Sequence, residues 1–183
     1  MTRSALKSRE PAPVALPAEP ASGAHAASGD LIELLFFAYR DFVGDPDRIL
    51  AAYGFGRAHH RVLHFVDRYP GLTIAELLDI LRITKQSLNR VLKDLIEQAH
   101  IAQKTGTSDR RQRLLFCTPT GRRLAGELAD VQVKRVVRAL ADAGPPDAAA
   151  PVSAQEFLLA MIEPDERAAV GRLMARRRPD GAR

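Results

Sequence analysis

Residues 72–122 contain the pattern that most constrains the fold of this 183-residue chain. Apolar residues recur at helical spacing in two short segments, LTIAELLDIL and KQSLNRVLKDLIEQ, which are separated by little more than Arg82 and Ile83. The period then changes, and two strand-like segments enclose the turn-rich stretch TGTSDRRQR. This order predicts two helices joined by a tight turn and followed by a β-hairpin.

The first helix has a recognisable start. Thr73 and Glu76 have the spacing of a capping box, in which each side chain bonds to the other residue's backbone N–H. Leu72 and Leu77 are placed to pack together across this start. The predicted inner face consists of Ile74, Leu77, Leu78 and Leu81.

The second helix has two faces of different chemistry. Thr84 is the expected N-cap. The apolar positions are Leu88, Val91, Leu92, Leu95 and Ile96. The polar side chains can pair with base edges or phosphates in a major groove, although an ordinary solvated face would also contain such residues. We assign this role to Thr84, Lys85, Gln86, Ser87, Asn89, Arg90 and Lys93.

The hairpin is predicted from strands at 101–104 and 114–118. Arg110, Arg111 and Arg113 lie at or beside its tip, where they suit the negative potential of a narrow minor groove. Asp109 can hold a neighbouring arginine in a fixed geometry. The alternative for this segment is a solubilising loop. Between positions 82 and 123 the chain carries ten Lys and Arg against three Asp and Glu, whereas the whole chain carries 27 against 22. The basic surplus therefore lies in the segment predicted to contact DNA.

These segments resemble the MarR family of bacterial transcription regulators. In that family the wing carries an aspartate followed by arginines, then a strand that ends in L-T-x-x-G. Asp109, Arg110 and Arg111 match the first part, and Thr118 and Gly121 match the second. Cys117 replaces the usual leucine, and His100 replaces the glycine after the second helix, where a left-handed C-cap is expected. The resemblance covers about residues 30–178, and its motifs lie within 56–124.

The resemblance implies a mainly α fold with a small β-hairpin wing, in which a winged helix-turn-helix is flanked by N- and C-terminal dimerisation helices. The predicted segments are a disordered tail at 1–29, dimerisation helices at 30–55, a DNA-binding domain at 56–122, dimerisation helices at 123–178 and a disordered tail at 179–183. Helix starts are predicted at Asp30, Asp45-Pro46, about Arg57, Thr118-Pro119, Ser153 and Pro164, with a loop at 144–152.

The composition and the motifs that the sequence lacks argue against several other classes of function. Aromatic residues make up 5% of the chain, with no Trp, so stacking on single-stranded nucleic acid is not favoured. No apolar run reaches membrane-spanning length and no signal-peptide core is present, so a cytoplasmic protein is expected. Phosphate-binding glycine loops, nucleophile elbows and paired carboxylates are absent from the sequence, which argues against an enzyme and gives no reason to expect a cofactor.

Two other sites were considered. His60 and His64 share a helix face at a spacing that can bind a metal, but no carboxylate or cysteine joins them locally, so no metal site is predicted. Cys117 follows an arginine-rich segment that could activate a thiol, yet it lies in an apolar strand where a buried cysteine is ordinary.

The function expected is sequence-specific binding of double-stranded DNA by a homodimeric regulator, a repressor, on a near-palindromic operator. The resemblance adds control by a small-molecule effector. The alternatives are a winged-helix protein-interaction module and a non-specific DNA-binding protein without effector control.

Overall fold

The computed structural model describes residues 22–106, 111–143 and 150–176. The elements in chain order are α1 (Ser22–Ala51), α2 (Arg57–Arg68), β1 (Leu72–Thr73), α3 (Ile74–Leu81), α4 (Lys85–Glu97), β2 (Ile101–Thr105), β3 (Arg113–Cys117), α5 (Pro119–Asp142), α6 (Ala150–Ala160) and α7 (Pro164–Ala175). The predicted mainly α fold with a small β wing is confirmed. None of the described helices is both long and apolar enough to cross a membrane.

The sheet has three antiparallel strands in the order β1-β3-β2. Strands β2 and β3 form the predicted hairpin, with Ile101 opposite Cys117 and Thr105 opposite Arg113. Strand β1 was not predicted, because two residues are too few to show an alternating pattern. Leu72 of β1 is opposite Leu115 of β3, so the chain that enters α3 is fixed to the wing.

The core lies where α2, α3, α4, the sheet and the start of α5 meet. Its fully buried side chains include Leu63, Leu77, Leu88, Leu115 and Leu128. Burying a leucine of this kind contributes about 1.5–3 kcal/mol, so these contacts are the main force that holds the two short helices together. Ile96, predicted on the inner face of α4, is instead 37% exposed because it lies in the last turn, beyond the edge of the core.

The N-terminal helix differs from the prediction. Helix α1 begins at Ser22 and continues through Pro46, so the predicted helix starts at Asp30 and at Asp45-Pro46 are both wrong. The segment from 22 to 29 is rich in alanine, which favours helix. Residues 1–21, the rest of the predicted tail, lie outside the described residues. The chain divides after Ala38 into two units, and residues 22–38 are described by themselves.

Two contacts from α5 explain why the proline does not end α1. Proline has no N–H to donate, which leaves the carbonyl of the residue four positions earlier without its helical partner. That residue is Phe42, and the Gln132 side-chain amide donates to its carbonyl at 3.5 Å. Asp45, predicted as a cap, accepts two hydrogen bonds from Arg135 at 3.0 and 2.6 Å. Hydrogen bonding to Arg135 holds the pKa of Asp45 below its ordinary value.

The C-terminal helices agree with the prediction in part. Thr118 caps α5 and Pro119 is its first residue, as predicted, and α7 begins at Pro164. Helix α6 begins at Ala150, so Ser153 lies inside it, and residues 150–152 of the predicted loop are helical instead. Pro151 indicated a loop in the sequence, but a proline is tolerated in the first turn of a helix. Residues 144–149 and 177–183 lie outside the described residues.

Candidate nucleic-acid interface

The first helix of the pair, α3, begins with the predicted capping box. The Thr73 hydroxyl accepts the Glu76 backbone N–H at 3.1 Å, and the Glu76 carboxylate accepts the Thr73 N–H at 2.8 Å. Burial alone would raise the pKa of Glu76, but hydrogen bonds from Thr73 and Arg176 outweigh it and the pKa is lowered. Glu76 is therefore ionised at neutral pH and is available to pair with Arg176.

The turn between α3 and α4 is short and contains a residue with left-handed backbone conformation. Arg82, which ends α3, has the left-handed backbone φ of 52°. The Arg61 side chain reaches from α2 and donates to the carbonyl of Leu81 at 2.9 Å. That carbonyl belongs to the last turn of α3, where the carbonyls have no partner within the helix. Arg61 therefore positions the turn, a role that no sequence pattern indicated.

Helix α4 presents one buried face and one exposed face. Leu88 and Leu95 are fully buried, and Val91 is 7% exposed. All seven residues of α4 and its N-cap that are assigned to DNA are exposed: Thr84, Lys85, Gln86, Ser87, Asn89, Arg90 and Lys93. Because the buried leucines fix the rotation of the helix, the Gln, Asn, Lys and Arg side chains project outward together.

The start of α4 uses two of these residues to form the helix cap. The Thr84 hydroxyl accepts the Ser87 backbone N–H at 3.2 Å, which confirms the predicted N-cap. It also donates to the Ser87 hydroxyl at 2.9 Å. Lys93 lies 3.8 Å from Glu97, a loose exposed pair that leaves the ammonium group accessible.

A histidine on α2 bonds to the other end of α4. His59 Nε2 lies 3.2 Å from an Asp94 carboxylate oxygen, and His59 Nδ1 accepts the Gly56 N–H at 3.1 Å. The same imidazole stacks on the Phe55 ring with the centroids 4.6 Å apart. The sequence could not reveal this contact, because Asp94 lies 35 positions away.

The wing is braced by its own side chains. Arg113 donates to the Thr105 hydroxyl on the opposite strand at 2.6 Å, and Lys104 lies over the Phe116 ring at 5.0 Å. Lys104 is an exposed cation that the sequence pattern did not indicate as a DNA contact. Arg111 is exposed at the turn. Asp109 and Arg110, both predicted to contact DNA, lie outside the described residues.

The end of α4 is joined closely to the start of α5. The left-handed residue is Ala99, with φ 56°, and not His100 as predicted. The Thr118 hydroxyl donates to the Ala99 carbonyl at 2.6 Å and accepts the Gly121 N–H at 3.0 Å. His100 is buried, and burial lowers the pKa of its imidazole.

The remaining candidate residues are His60 and His64, considered as a metal site, and Cys117, considered as a reactive thiol. Burial lowers the pKa of both His60 and His64, which favours neutral imidazoles. No group of three or more His, Cys, Asp or Glu side chains that could hold a metal occurs among the residues described. Cys117 is 7% exposed, and its thiol points at the Leu63 carbonyl at 3.9 Å, an ordinary setting for a core cysteine.

Comparisons with known proteins agree with this architecture. The model of the MarR family matches residues 53–112. The HTH-type transcriptional regulator PetP of Rhodobacter capsulatus is 46% identical over 133 residues, which span 73% of this chain and 78% of PetP. Among solved structures, the MarR family transcription regulator SP03579 aligns with a TM-score of 0.61 at 14% identity, over 84% of this chain and 94% of that one. The transcriptional regulator SlyA aligns with a TM-score of 0.58 at 15% identity, over 72% and 91%.

Proposed function

The chain belongs to the MarR family of helix-turn-helix transcriptional regulators, and we propose that it acts as a homodimeric repressor on a near-palindromic operator. Membership of the family makes the chain a DNA-binding regulator of transcription and not an enzyme. The homodimer, the operator symmetry, repression and control by an effector are proposals.

The outward face of α4 is the observation that carries the proposal. A major groove admits a helix, and Gln and Asn pair with adenine edges while Arg and Lys pair with guanine edges or phosphates. We assign base contacts to Lys85, Gln86, Asn89 and Arg90. Phosphate contacts are assigned to Thr84, Ser87 and Lys93, and the two hydroxyls would keep their capping bonds.

The wing adds the second contact. Arg111 and Arg110 are proposed to enter or flank the minor groove, with Asp109 orienting a neighbouring guanidinium. Arg113 is proposed to contact a phosphate while it keeps its bond to Thr105, so its side chain would be held in place before DNA arrives. Lys104, on the adjoining strand, adds positive charge to the same hairpin.

Exposed apolar side chains support the homodimer. Helix α1 exposes Leu31, Ile32, Leu34, Phe36 and Phe37 by between 49% and 71%. Helix α5 exposes Val133, Val136 and Val137, and α6 exposes Phe157, Leu158 and Leu159. Apolar surface on this scale marks an interaction site, and a second copy supplies the same surface. We therefore propose that dimerisation helices flank a DNA-binding domain at 56–122.

Dimer symmetry determines the form of the operator. A two-fold dimer presents two identical α4 helices, which enter successive major grooves about one helical turn apart on a near-palindrome. Repression would follow where the operator overlaps a promoter. An effector that changes the spacing of the two α4 helices would weaken binding, because the spacing of the half-sites is fixed.

Binding to genomic DNA fragments at two salt concentrations tests the function. Selective retention of a few fragments, including the one upstream of the protein's own gene, is expected. The slope of log affinity against log salt should change by roughly −0.9 for each phosphate neutralised. Salt-sensitive but unselective retention would indicate a non-specific DNA-binding protein. A flat salt dependence would contradict DNA binding and favour an interaction module.

A further inference from the structure

Two polar side chains of α2 hold α4 near its opposite ends. The Arg61 guanidinium donates to the Leu81 carbonyl, in the turn that leads into α4, at 2.9 Å. His59 Nε2 lies 3.2 Å from the carboxylate of Asp94, which is in the last turn of α4. A helix that is tied to the same neighbour near both ends cannot tilt or rotate without breaking one of these bonds. Helix α2 therefore controls the orientation of α4.

The imidazole ring of His59 is itself held in one orientation. It stacks on the Phe55 ring, with the centroids 4.6 Å apart and 12° between the two planes. His100, which follows α4, meets the same Phe55 ring edge-on at 5.4 Å. The Gly56 N–H donates to His59 Nδ1 at 3.1 Å. The stacking fixes the plane of the imidazole and the Gly56 bond fixes its rotation within that plane, so Nε2 points in a single direction.

The Gly56 bond also determines which nitrogen of His59 carries the proton. A ring nitrogen that accepts a hydrogen bond has no proton of its own, so the proton of the neutral imidazole lies on Nε2. Nε2 therefore donates to the Asp94 carboxylate. The His59 side chain is only 14% exposed, so little water competes for this bond. A hydrogen bond weakens steeply when its angle falls below about 120°, and this bond consequently resists rotation of α4.

Base recognition needs this directional restraint. Apolar packing of Leu88 and Leu95 decides which face of α4 is buried, but the hydrophobic effect is non-directional and sets the angle less finely. A binding side chain must be held within about 0.5 Å and 10–20° of its productive geometry. Asp94 lies one helical turn beyond Arg90, so the bond to His59 acts on the part of the helix that carries the assigned base contacts.

We propose that His59 is a positioning residue for DNA recognition, which fixes through Asp94 the rotation of α4 at which Asn89 and Arg90 meet base edges. This inference rests on the proposed function. It assigns to His59 a role in discriminating between DNA sequences, and none in attraction to the phosphate backbone. Loss of the bond would let α4 rotate slightly, which weakens base contacts and leaves the long, adaptable phosphate contacts in place.

The test measures two affinities of the full-length protein by fluorescence anisotropy: for the operator fragment recovered from genomic DNA, and for a duplex of equal length and unrelated sequence. His59→Leu should lower the ratio of the two affinities by about tenfold, the effect of losing one base contact, and leave the affinity for the unrelated duplex within about twofold. His59→Gln, whose amide can donate to Asp94, should restore most of the ratio. His64→Leu is the matched control, since the His64 ring contacts Phe65 of its own helix.

Asp94→Ala removes the other partner and should lower the ratio as much as His59→Leu, with no further loss in the double variant. Circular dichroism establishes folding, and if His59→Leu does not fold, Asp94→Ala decides by the same criterion. A parental ratio in the variant, equal weakening on both duplexes, or a His59→Gln variant that behaves like His59→Leu would overturn the proposal while the function stands. A parent that does not discriminate between the two duplexes would instead contradict the proposed function, and this inference with it.

Discussion

At the scale of single residues, Gly121 lies where the start of α5 passes close to the backbone of His100, just beyond α4. A Cβ atom at this position would lie 1.9 Å from the His100 carbonyl oxygen and 2.9 Å from its carbon. Those atoms are backbone, and they are fixed because Thr118 donates its own N–H to the same carbonyl at 3.0 Å. A side chain here therefore requires the two segments to separate.

We expect Gly121→Ala to reduce the free energy of unfolding by about 1–3 kcal/mol, since backbone atoms must move apart. Urea denaturation, monitored by circular dichroism, measures this free energy of unfolding. Gly171→Ala is the matched control, because Gly171 also lies in a helix but has nothing within 4 Å of its Cβ position. The control should be neutral or stabilising by up to about 1 kcal/mol, as alanine is the better helix former. Equal stability of both variants would contradict the close approach.

His64 predicts a pH dependence of stability. Its pKa falls from 6.5 to about 4 on folding, mainly through burial. The unfolded chain therefore binds a proton at a pH where the folded chain does not, and stability falls as the pH drops from about 6.5 towards 4. The urea midpoint should be lower at pH 5 than at pH 7, and His64→Leu should reduce this difference. The urea midpoint of His64→Leu should still depend on pH to some extent, because the pKa values of His60 and His100 are lowered too.

At the scale of elements, features that depend on residues a few positions apart could be predicted from the sequence. Features that depend on contacts between residues far apart in the chain could not. The N-caps at Thr73, Thr84 and Thr118 were identified because each hydroxyl bonds to a backbone N–H three residues later. The continuation of α1 through Pro46 was missed because it depends on Gln132, far along the chain. The support of α4 by His59 was missed for the same reason.

For helix α4, we predict that Asn89→Ala relaxes base preference at one operator position by about 1–3 kcal/mol. Competition binding with operators substituted one base pair at a time measures this preference. Lys93→Ala is the comparison on the same face, and it should weaken binding to every sequence alike and make the salt slope shallower by about one unit. A uniform loss for Asn89→Ala would place that side chain on the DNA backbone instead.

For the wing, Arg111→Ala is expected to weaken operator binding markedly while folding and dimerisation stay intact. Folding and dimerisation should stay intact because Arg111 is exposed at the hairpin turn, so its removal leaves the buried core unchanged. Fluorescence anisotropy with labelled operator gives the affinity. Arg172→Ala removes an exposed arginine from α7 and should bind as the parent does. Unchanged binding by Arg111→Ala would exclude this arginine from the interface.

At the scale of the whole molecule, the apolar residues of α1 predict the oligomeric state. Phe36 is 71% exposed, and Phe36→Glu would place a charge within the proposed subunit interface, which is strongly unfavourable without a partner charge. Light scattering should show a shift from dimer to monomer. Operator affinity should fall with it, because a monomer contacts a single half-site. Glu33→Ala, on the same helix, should remain dimeric; a dimeric Phe36→Glu would contradict the interface.

The Thr118 hydroxyl has a consequence for how such regulators can diverge. By bonding to Ala99 on one side and Gly121 on the other, it fastens the base of the wing independently of the tip. Residues inserted between Gly106 and Arg111 would then add only loop-closure entropy, which grows slowly with length. Wing length is thus open to change by insertion and deletion, whereas the helices below it can change only by substitutions that preserve their packing.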